Sequence, residues 1–199
     1  MADKGTPDPA IDLIERAISQ MTDVIAAIRP EQAELPTPCA AWSVRRLVDH
    51  LLGQILPNFV ISAQGGTPDW QSSDEKFGDV GWGDQFNTRS APLIEAWRMA
   101  DLDSRVPTPG GGEGPLRARA DQQITEFAMH AWDLARATDQ QLELDPELAE
   151  YGLAWSKKML RPEFRGEGKA FGLEVPVTGD APAYDRLAAW FGRDPQWKP

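Results

Sequence analysis

The chain has 199 residues, a formal net charge of −11 and a hydrophobic content of 41%, which suits one globular domain or a domain with an appendage. The acidic charge weighs against binding to nucleic acids or to anionic membrane surfaces, and no apolar run is long enough to span a bilayer. The polar N-terminus lacks the apolar stretch of a signal peptide, and Cys39 is the only cysteine, so a cytoplasmic protein without an intrachain disulfide is expected.

The first predicted helix begins at Asp8-Pro9, because aspartate is a favourable N-cap and proline fits the first helical position. Its apolar residues recur at spacings of three and four, which places them on one face of a helix. These residues are Ile11, Ile14, Ile18, Met21, Ile25 and Ile28. The helix is predicted to end at Arg29-Pro30.

The second predicted helix runs from Ser43 to about Ser62, and Pro57 is expected to kink or shorten it. After it, residues 65–84 are polar and rich in glycine, with three aromatic side chains embedded. These are Trp70, Phe77 and Trp82. A segment of this length in a compact domain is typical of a lid over a site, but a packed surface loop anchored by its aromatic residues fits equally well.

A third helix is predicted from about Gln85 to Leu102, and a stretch rich in proline and glycine follows over residues 106–115. A phosphate-binding loop would need a Lys-Ser/Thr pair and a strand–loop–helix context. The stretch has neither, so it is predicted to be a flexible turn. The fourth helix, from Leu116 to about Thr138, is the longest with a clean apolar stripe.

The fifth predicted helix opens at Asp145-Pro146 and runs to Leu160. The tail contains a short extended piece from Leu173 to Val177 and a short helix from Tyr184 to Phe191. Because strand signals are few, the chain is predicted to be all-α, with four main helices joined by long crossover connections in a four-helix bundle. We expect a single domain over residues 1–199, in which residues 173–199 form a short C-terminal tail that packs on the bundle.

The chain has two histidines, His50 and His130, and each lies in a predicted helix with a strong apolar stripe. Glu126 precedes His130 by four residues, so the two side chains share one face of the fourth helix. Two imidazoles and one carboxylate from facing helices would form a three-ligand divalent-metal site with open coordination positions. The spacing also fits a solvated Glu–His pair and histidines that are hydrogen-bonded at the edge of the core.

Several stretches of the chain resemble the DinB-like, mycothiol-dependent maleylpyruvate isomerase N-terminal family. They are TPCAAWSVRRLVDHL at residues 37–51, EFAMHAWDLARAT at 126–138, and the tail motifs GDAPAYDRL at 179–187 and GRDP at 192–195. The tail motifs look like those of a short actinobacterial metal-binding subgroup. The resemblance implies a DinB-like four-helix bundle with a divalent metal, for which zinc is expected. By motif position the ligands are His50, Glu126 and His130, and Asp133 would either orient a ligand histidine or make a surface interaction.

The resemblance also implies an enzyme that acts on a small electrophile with a low-molecular-weight thiol, such as mycothiol, as cosubstrate. The thiol would be delivered as a metal-bound thiolate for transfer or isomerisation. The isomerase of this family carries a further C-terminal domain, similar to sterol-carrier folds, that these 199 residues do not contain. This difference weighs against the isomerase reaction itself, whereas thiol-transferase members of the wider superfamily lack that domain.

Three other functions are compatible with the sequence. A metal-hydroxide hydrolase would use the same ligands, and a metal-binding module or sensor, for instance a homodimer, would use them without catalysis. A helical scaffold would hold no metal at all. Cys39 precedes the His50 helix at the end expected to be out of reach of the metal, so it is predicted to be a buried, inert thiol, and Trp42 and Trp132 are predicted to belong to the core.

Overall fold

The computed structural model describes residues 8–39, 42–70, 76–78, 80–108, 111–169 and 171–199. Its α-helices are α1 (Pro9–Ala26), α2 (Val44–His50), α3 (Leu56–Ala63), α4 (Trp82–Met99), α5 (Arg117–Ala137), α6 (Pro146–Met159) and α7 (Ala183–Trp190). The predicted all-α fold is confirmed. None of the helices described is both long enough and apolar enough to cross a membrane.

Helix α5 lies at the centre of the molecule. It packs against α1, α2, α3, α6 and α7, while α4 packs against α1 and α3 and closes the bundle on the far side. Apolar stripes at helical spacing account for this arrangement, because the buried side chains of α1 and α5 face each other along their length. Residues Ile14, Phe127 and Leu134 are fully buried in the core that results.

The region predicted as one second helix is divided into three parts. Helix α2 ends at His50, a π-helical turn spans Leu51–Ile55, and α3 begins at Leu56. Pro57 lies in the first turn of α3, where its missing N–H costs no hydrogen bond. The predicted kink or shortening at Pro57 is therefore seen as a wider, π-helical turn that precedes it and separates α2 from α3.

Two predicted loops contain regular structure. Trp82 begins α4, so the segment predicted as a loop over 65–84 is shorter than expected, and its residues 71–75 and 79 lie outside the described part of the chain. Phe77 and Trp82 are buried, and the Phe77 N–H donates to Asp49 Oδ1 at 2.9 Å. These contacts favour a packed loop with aromatic anchors.

The predicted flexible turn over 106–115 overlaps a β-hairpin, and that prediction is wrong for the flanks of the turn. Strands β1 (Arg105–Pro107) and β2 (Glu113–Pro115) pair antiparallel with Val106 opposite Gly114. Two glycines with positive φ, Gly111 and Gly112, supply the reversal between them. Each strand has only three residues, which is too short for an alternation of apolar and polar residues to predict a strand from the sequence.

The tail folds back onto the bundle through α7, which packs against α6 and α5. The piece predicted to be extended over 173–177 forms no strand, although the Val175 N–H donates to the Ala189 carbonyl at 2.9 Å. Leu187 and Ala188 of α7 are fully buried. This docking brings the residues after α7 close to the middle of α5.

Candidate functional site

The two histidines meet between α2 and α5. Their rings are T-shaped, with centroids 5.8 Å apart and an interplanar angle of 85°. His50 is the last residue of α2, whose N-cap Ser43 accepts a hydrogen bond from the Arg46 N–H at 3.3 Å. Trp42 packs edge-on against His50, with ring centroids 4.7 Å apart, so this tryptophan lies at the site as well as against the core.

His130 lies between two carboxylates of its own helix. Its Nε2 is 3.3 Å from Glu126 Oε2, and its Nδ1 is 3.0 Å from Asp133 Oδ2. These are the i−4 and i+3 positions, which helix geometry places above and below the imidazole. Burial lowers the pKa of His130, but the hydrogen bonds to Asp133 and Glu126 outweigh it and raise the pKa to about 9. The imidazole is therefore held as a cation between two anions.

His50 has the opposite charge state. Burial and the positive charge of His130 lower the pKa of His50 to about 4, so its imidazole is neutral at physiological pH. The pKa of Glu126 is lowered despite its partial burial, because His130 binds the carboxylate. The site thus contains one neutral imidazole, His50, and one imidazolium, His130, which two ionised carboxylates contact at 3.3 and 3.0 Å.

Arg193, which the sequence did not single out as a site residue, completes the cluster. Its Nη2 donates to Asp133 Oδ2 at 3.1 Å and its Nε donates to Asp133 Oδ1 at 3.3 Å. Asp133 is fully buried and the Arg193 side chain is 11% exposed. Arg193 belongs to the tail motif GRDP at 192–195, but the spacing of that motif does not indicate that its arginine contacts α5.

Gly192 fixes the backbone from which Arg193 extends. It has φ of +80°, and a Cβ atom there would lie 2.6 Å from the Cα of Gly172. Because neither glycine has a Cβ atom, the backbones of two tail segments can lie in direct contact here. A side chain on Gly192 would not fit between them. This contact aims Arg193 at Asp133.

Replacement of Gly192 by alanine is expected to lower the free energy of unfolding by more than about 2 kcal/mol, because it adds a backbone clash to the strain of a left-handed conformation. Gly168 is the matched control, since it has φ of +70° and nothing lies within 4 Å of a Cβ placed there. Gly168→Ala should show the strain alone, at about 1–2 kcal/mol. Urea denaturation of both variants measures the difference, and equal losses would contradict the close contact as its cause.

Cys39 lies at the site, contrary to the prediction that it is out of reach. A sulfur of Cys39, a ring nitrogen of His130 and an oxygen of Asp133 all lie within 4.8 Å of one another. The chain reverses just before α2, where the Thr37 N–H donates to the Trp42 carbonyl at 3.1 Å, and this turn carries Cys39 towards α5. Periodicity along a single helix could not reveal a turn of this kind.

Burial raises the pKa of the Cys39 thiol to about 11, and the Asp133 and Glu126 carboxylates act in the same direction. We expect Cys39 to react with iodoacetamide at pH 8 about a hundredfold more slowly than the same cysteine in the urea-unfolded chain, because the thiolate fraction is that much smaller. Mass spectrometry of the alkylated protein gives both rates. Similar rates in the two states would show that the thiol is ionised and accessible in the fold.

Most of these side chains line an open cavity of about 620 Å³, but His50 and Asp133 are not part of its lining. Helix α5 contributes Glu126 and His130 to it, and the turn before α2 contributes Cys39 and Trp42. The tail closes the opposite side with residues that include Phe171 and Arg193. A cavity of this volume is large enough to hold a small-molecule ligand.

Comparison with known proteins identifies relatives that match most of the chain. The sequence profile of the family described as "Mycothiol maleylpyruvate isomerase N-terminal domain" matches residues 14–135. Two uncharacterised proteins of Mycobacterium tuberculosis are each 32% identical over 190 residues, which cover 90% of this chain and 94% of the relative. Crystal structures of the mycothiol-dependent maleylpyruvate isomerase and of a histidine-to-alanine mutant of it match with a TM-score of 0.55, at 18% and 17% identity, over 73% of this chain and 67% of theirs. The predicted DinB-like fold is confirmed by this likeness.

Proposed function

Because the chain belongs to the family of the mycothiol maleylpyruvate isomerase N-terminal domain, we propose that it is a divalent-metal-dependent enzyme. It uses a low-molecular-weight thiol, such as mycothiol, for transfer to or isomerisation of a small electrophile. The observation that carries the proposal is the pair of histidines, with ring centroids 5.8 Å apart, at which His130 and the neighbouring Glu126 line an open cavity. A thiol cosubstrate requires a reducing compartment, which favours the cytoplasm.

The proposed metal ligands are His50, Glu126 and His130, and their chemistry suits zinc. Two imidazoles that bind one tetrahedral ion at about 2.0–2.1 Å have ring centres roughly 5 Å apart, so a small approach of the two rings from 5.8 Å would let them share the ion. His50 is already neutral, the form in which imidazole binds metals. His130 Nε2 now points at Glu126 Oε2, and a metal ion bound there would replace the proton between these two atoms. The Nδ1–H of His130 would keep its hydrogen bond to Asp133 and so fix the ring.

A second set of possible ligands, Cys39, His130 and Asp133, is the more closely gathered among the described residues. This set is the less favourable one on chemical grounds. Both oxygens of Asp133 are bound by Arg193, so a metal there would break a buried ion pair. It would also have to deprotonate a thiol whose pKa is about 11. The set that includes His50 requires neither change.

The chain's own residues would bind and orient the reactants. A bound divalent metal lowers the pKa of a coordinated thiol, so that the thiol is available as a thiolate at neutral pH. Arg193 holds Asp133, which in turn fixes the ring orientation of His130. Trp42 and Phe171 form apolar walls of the cavity.

The experiment that tests the proposal is a turnover assay with mycothiol and a panel of small electrophiles that includes maleylpyruvate. Turnover is measured for the protein stripped of metal with a chelator and for the same protein reloaded with zinc. The proposal predicts consumption of the electrophile that needs both zinc and thiol. Turnover with zinc but without thiol would assign a hydrolase instead, and bound zinc with no turnover on the panel would favour a metal-binding module or sensor.

A further inference from the structure

A second, smaller cavity of about 200 Å³ opens beside the proposed metal site. Four residues line both cavities, so the two are adjacent and Glu126 borders both. They are Thr125, Glu126, Phe171 and Phe191. The smaller cavity is therefore next to the proposed metal ligand Glu126.

The smaller cavity is apolar in character. Trp155, Leu160 and Phe164 line it together with the two shared phenylalanines. Its two hydroxyl groups already donate their hydrogen bonds to helix carbonyls: Thr125 Oγ1 to Asp121 at 2.8 Å, and Ser156 Oγ to Leu153 at 3.2 Å. A ligand in this cavity gains contact area and meets little competition from bound water.

The mouth of the smaller cavity is marked by exposed apolar side chains. Met159, the last residue of α6, is 51% exposed, and Phe164 is 50% exposed, although both are large apolar residues. Exposed apolar groups beside a concave apolar surface are typical of a ligand site. Met99, the last residue of α4, is 86% exposed but is absent from the lining of this cavity.

We propose that the smaller cavity is a specificity subsite that binds a single six-membered ring carried by the electrophile. The volume of about 200 Å³ fits one ring, since an apolar cavity of about 150 Å³ binds benzene. The ring lies among Trp155, Leu160 and Phe164, and the reactive atom of the same molecule reaches Glu126 and His130. That the ligand is an electrophile rests on the proposed function. The affinity of the cavity for a ring does not depend on the proposed function.

The experiment is titration of the purified protein with toluene, followed by NMR through the indole N–H of Trp155 and the methyl group of Met159. We expect saturable shifts at both positions with toluene. Met159→Glu should weaken toluene binding by about tenfold or more, because it places a charge at the apolar mouth. Met99→Glu is the matched control, with the same change at the end of another helix, and it should leave toluene binding unchanged.

Absence of saturable shifts with toluene in the wild-type protein would overturn the subsite, and so would equal losses in the two glutamate variants. Where thiol-dependent turnover is found, toluene should raise the KM of an aromatic electrophile and leave that of a ring-free electrophile unchanged. Turnover without this competition would contradict the subsite and leave the proposed function standing. Toluene binding without any turnover would support the subsite and count against the proposed function.

Discussion

Replacement of Asp133 by alanine is expected to lower the free energy of unfolding by about 3–5 kcal/mol, as the removal of one partner from a buried ion pair generally does. Asp133 is fully buried and binds both Arg193 and the imidazole of His130. Its loss leaves the guanidinium of Arg193, which is 11% exposed, without a counter-charge. Urea denaturation followed by circular dichroism measures the change.

Asp185→Ala is the matched control for this variant. Asp185 also joins the tail to α5, through Arg136 at 3.4 Å, but the Arg136 side chain is 43% exposed. We expect a loss below about 1 kcal/mol, since solvent screens such a pair. If Asp133→Ala were no more destabilising than Asp185→Ala, the buried pair would not be what holds the tail in place.

The double variant Asp133→Ala/Arg193→Leu gives an internal check on the cause. It removes both charges and leaves an apolar side chain in the space of the arginine. The double variant should be less destabilised than the sum of the two single variants, because neither charge is then buried alone. Additive losses would show that the two side chains contribute independently of each other.

Local signals predicted most of the helices. Asp8 and Asp145 accept hydrogen bonds from Ala10 N at 2.9 Å and from Glu147 N at 3.0 Å, so the expected Asp-Pro starts are the actual N-caps. Capping and periodicity act within a few residues, and the sequence displays them directly. The π-helical turn before Pro57 and the short hairpin depend on the packing of neighbouring elements, and no local pattern encodes them.

The candidate site shows the same division between local and distant contacts. Glu126, His130 and Asp133 lie within two turns of one helix, so their spacing alone predicts that they meet. Arg193 reaches Asp133 across 60 residues of sequence, and Cys39 reaches the same cluster through a turn that reverses the chain. These contacts follow from how the tail and the turn dock on α5, which only the tertiary structure specifies.

Substitution of His50 or His130 by alanine is expected to lower the affinity of the purified protein for zinc by about a hundredfold or more, because each removes one of the three proposed ligands. Loss of a residue that only hydrogen-bonds to a metal ligand already lowers metal affinity by about 10–100-fold. Competition with a chromophoric chelator measures the affinity. Glu126→Gln should have a similar effect. Glu15→Gln is its control, since Glu15 is also a helical glutamate bound to a cation, Arg98 Nε at 2.8 Å, and lies outside the cavity.

The variant of His50 is the decisive one, because His130 belongs to both possible ligand sets and His50 to only one of them. Loss of zinc in His50→Ala with wild-type affinity in Cys39→Ala would assign the metal to the histidine pair and Glu126. The reverse result would place it at Cys39 and Asp133 and would require the Arg193 ion pair to open. Wild-type affinity in both His50→Ala and His130→Ala would contradict a metal at this site, and the imidazolium between Glu126 and Asp133 would then be a structural element of the bundle.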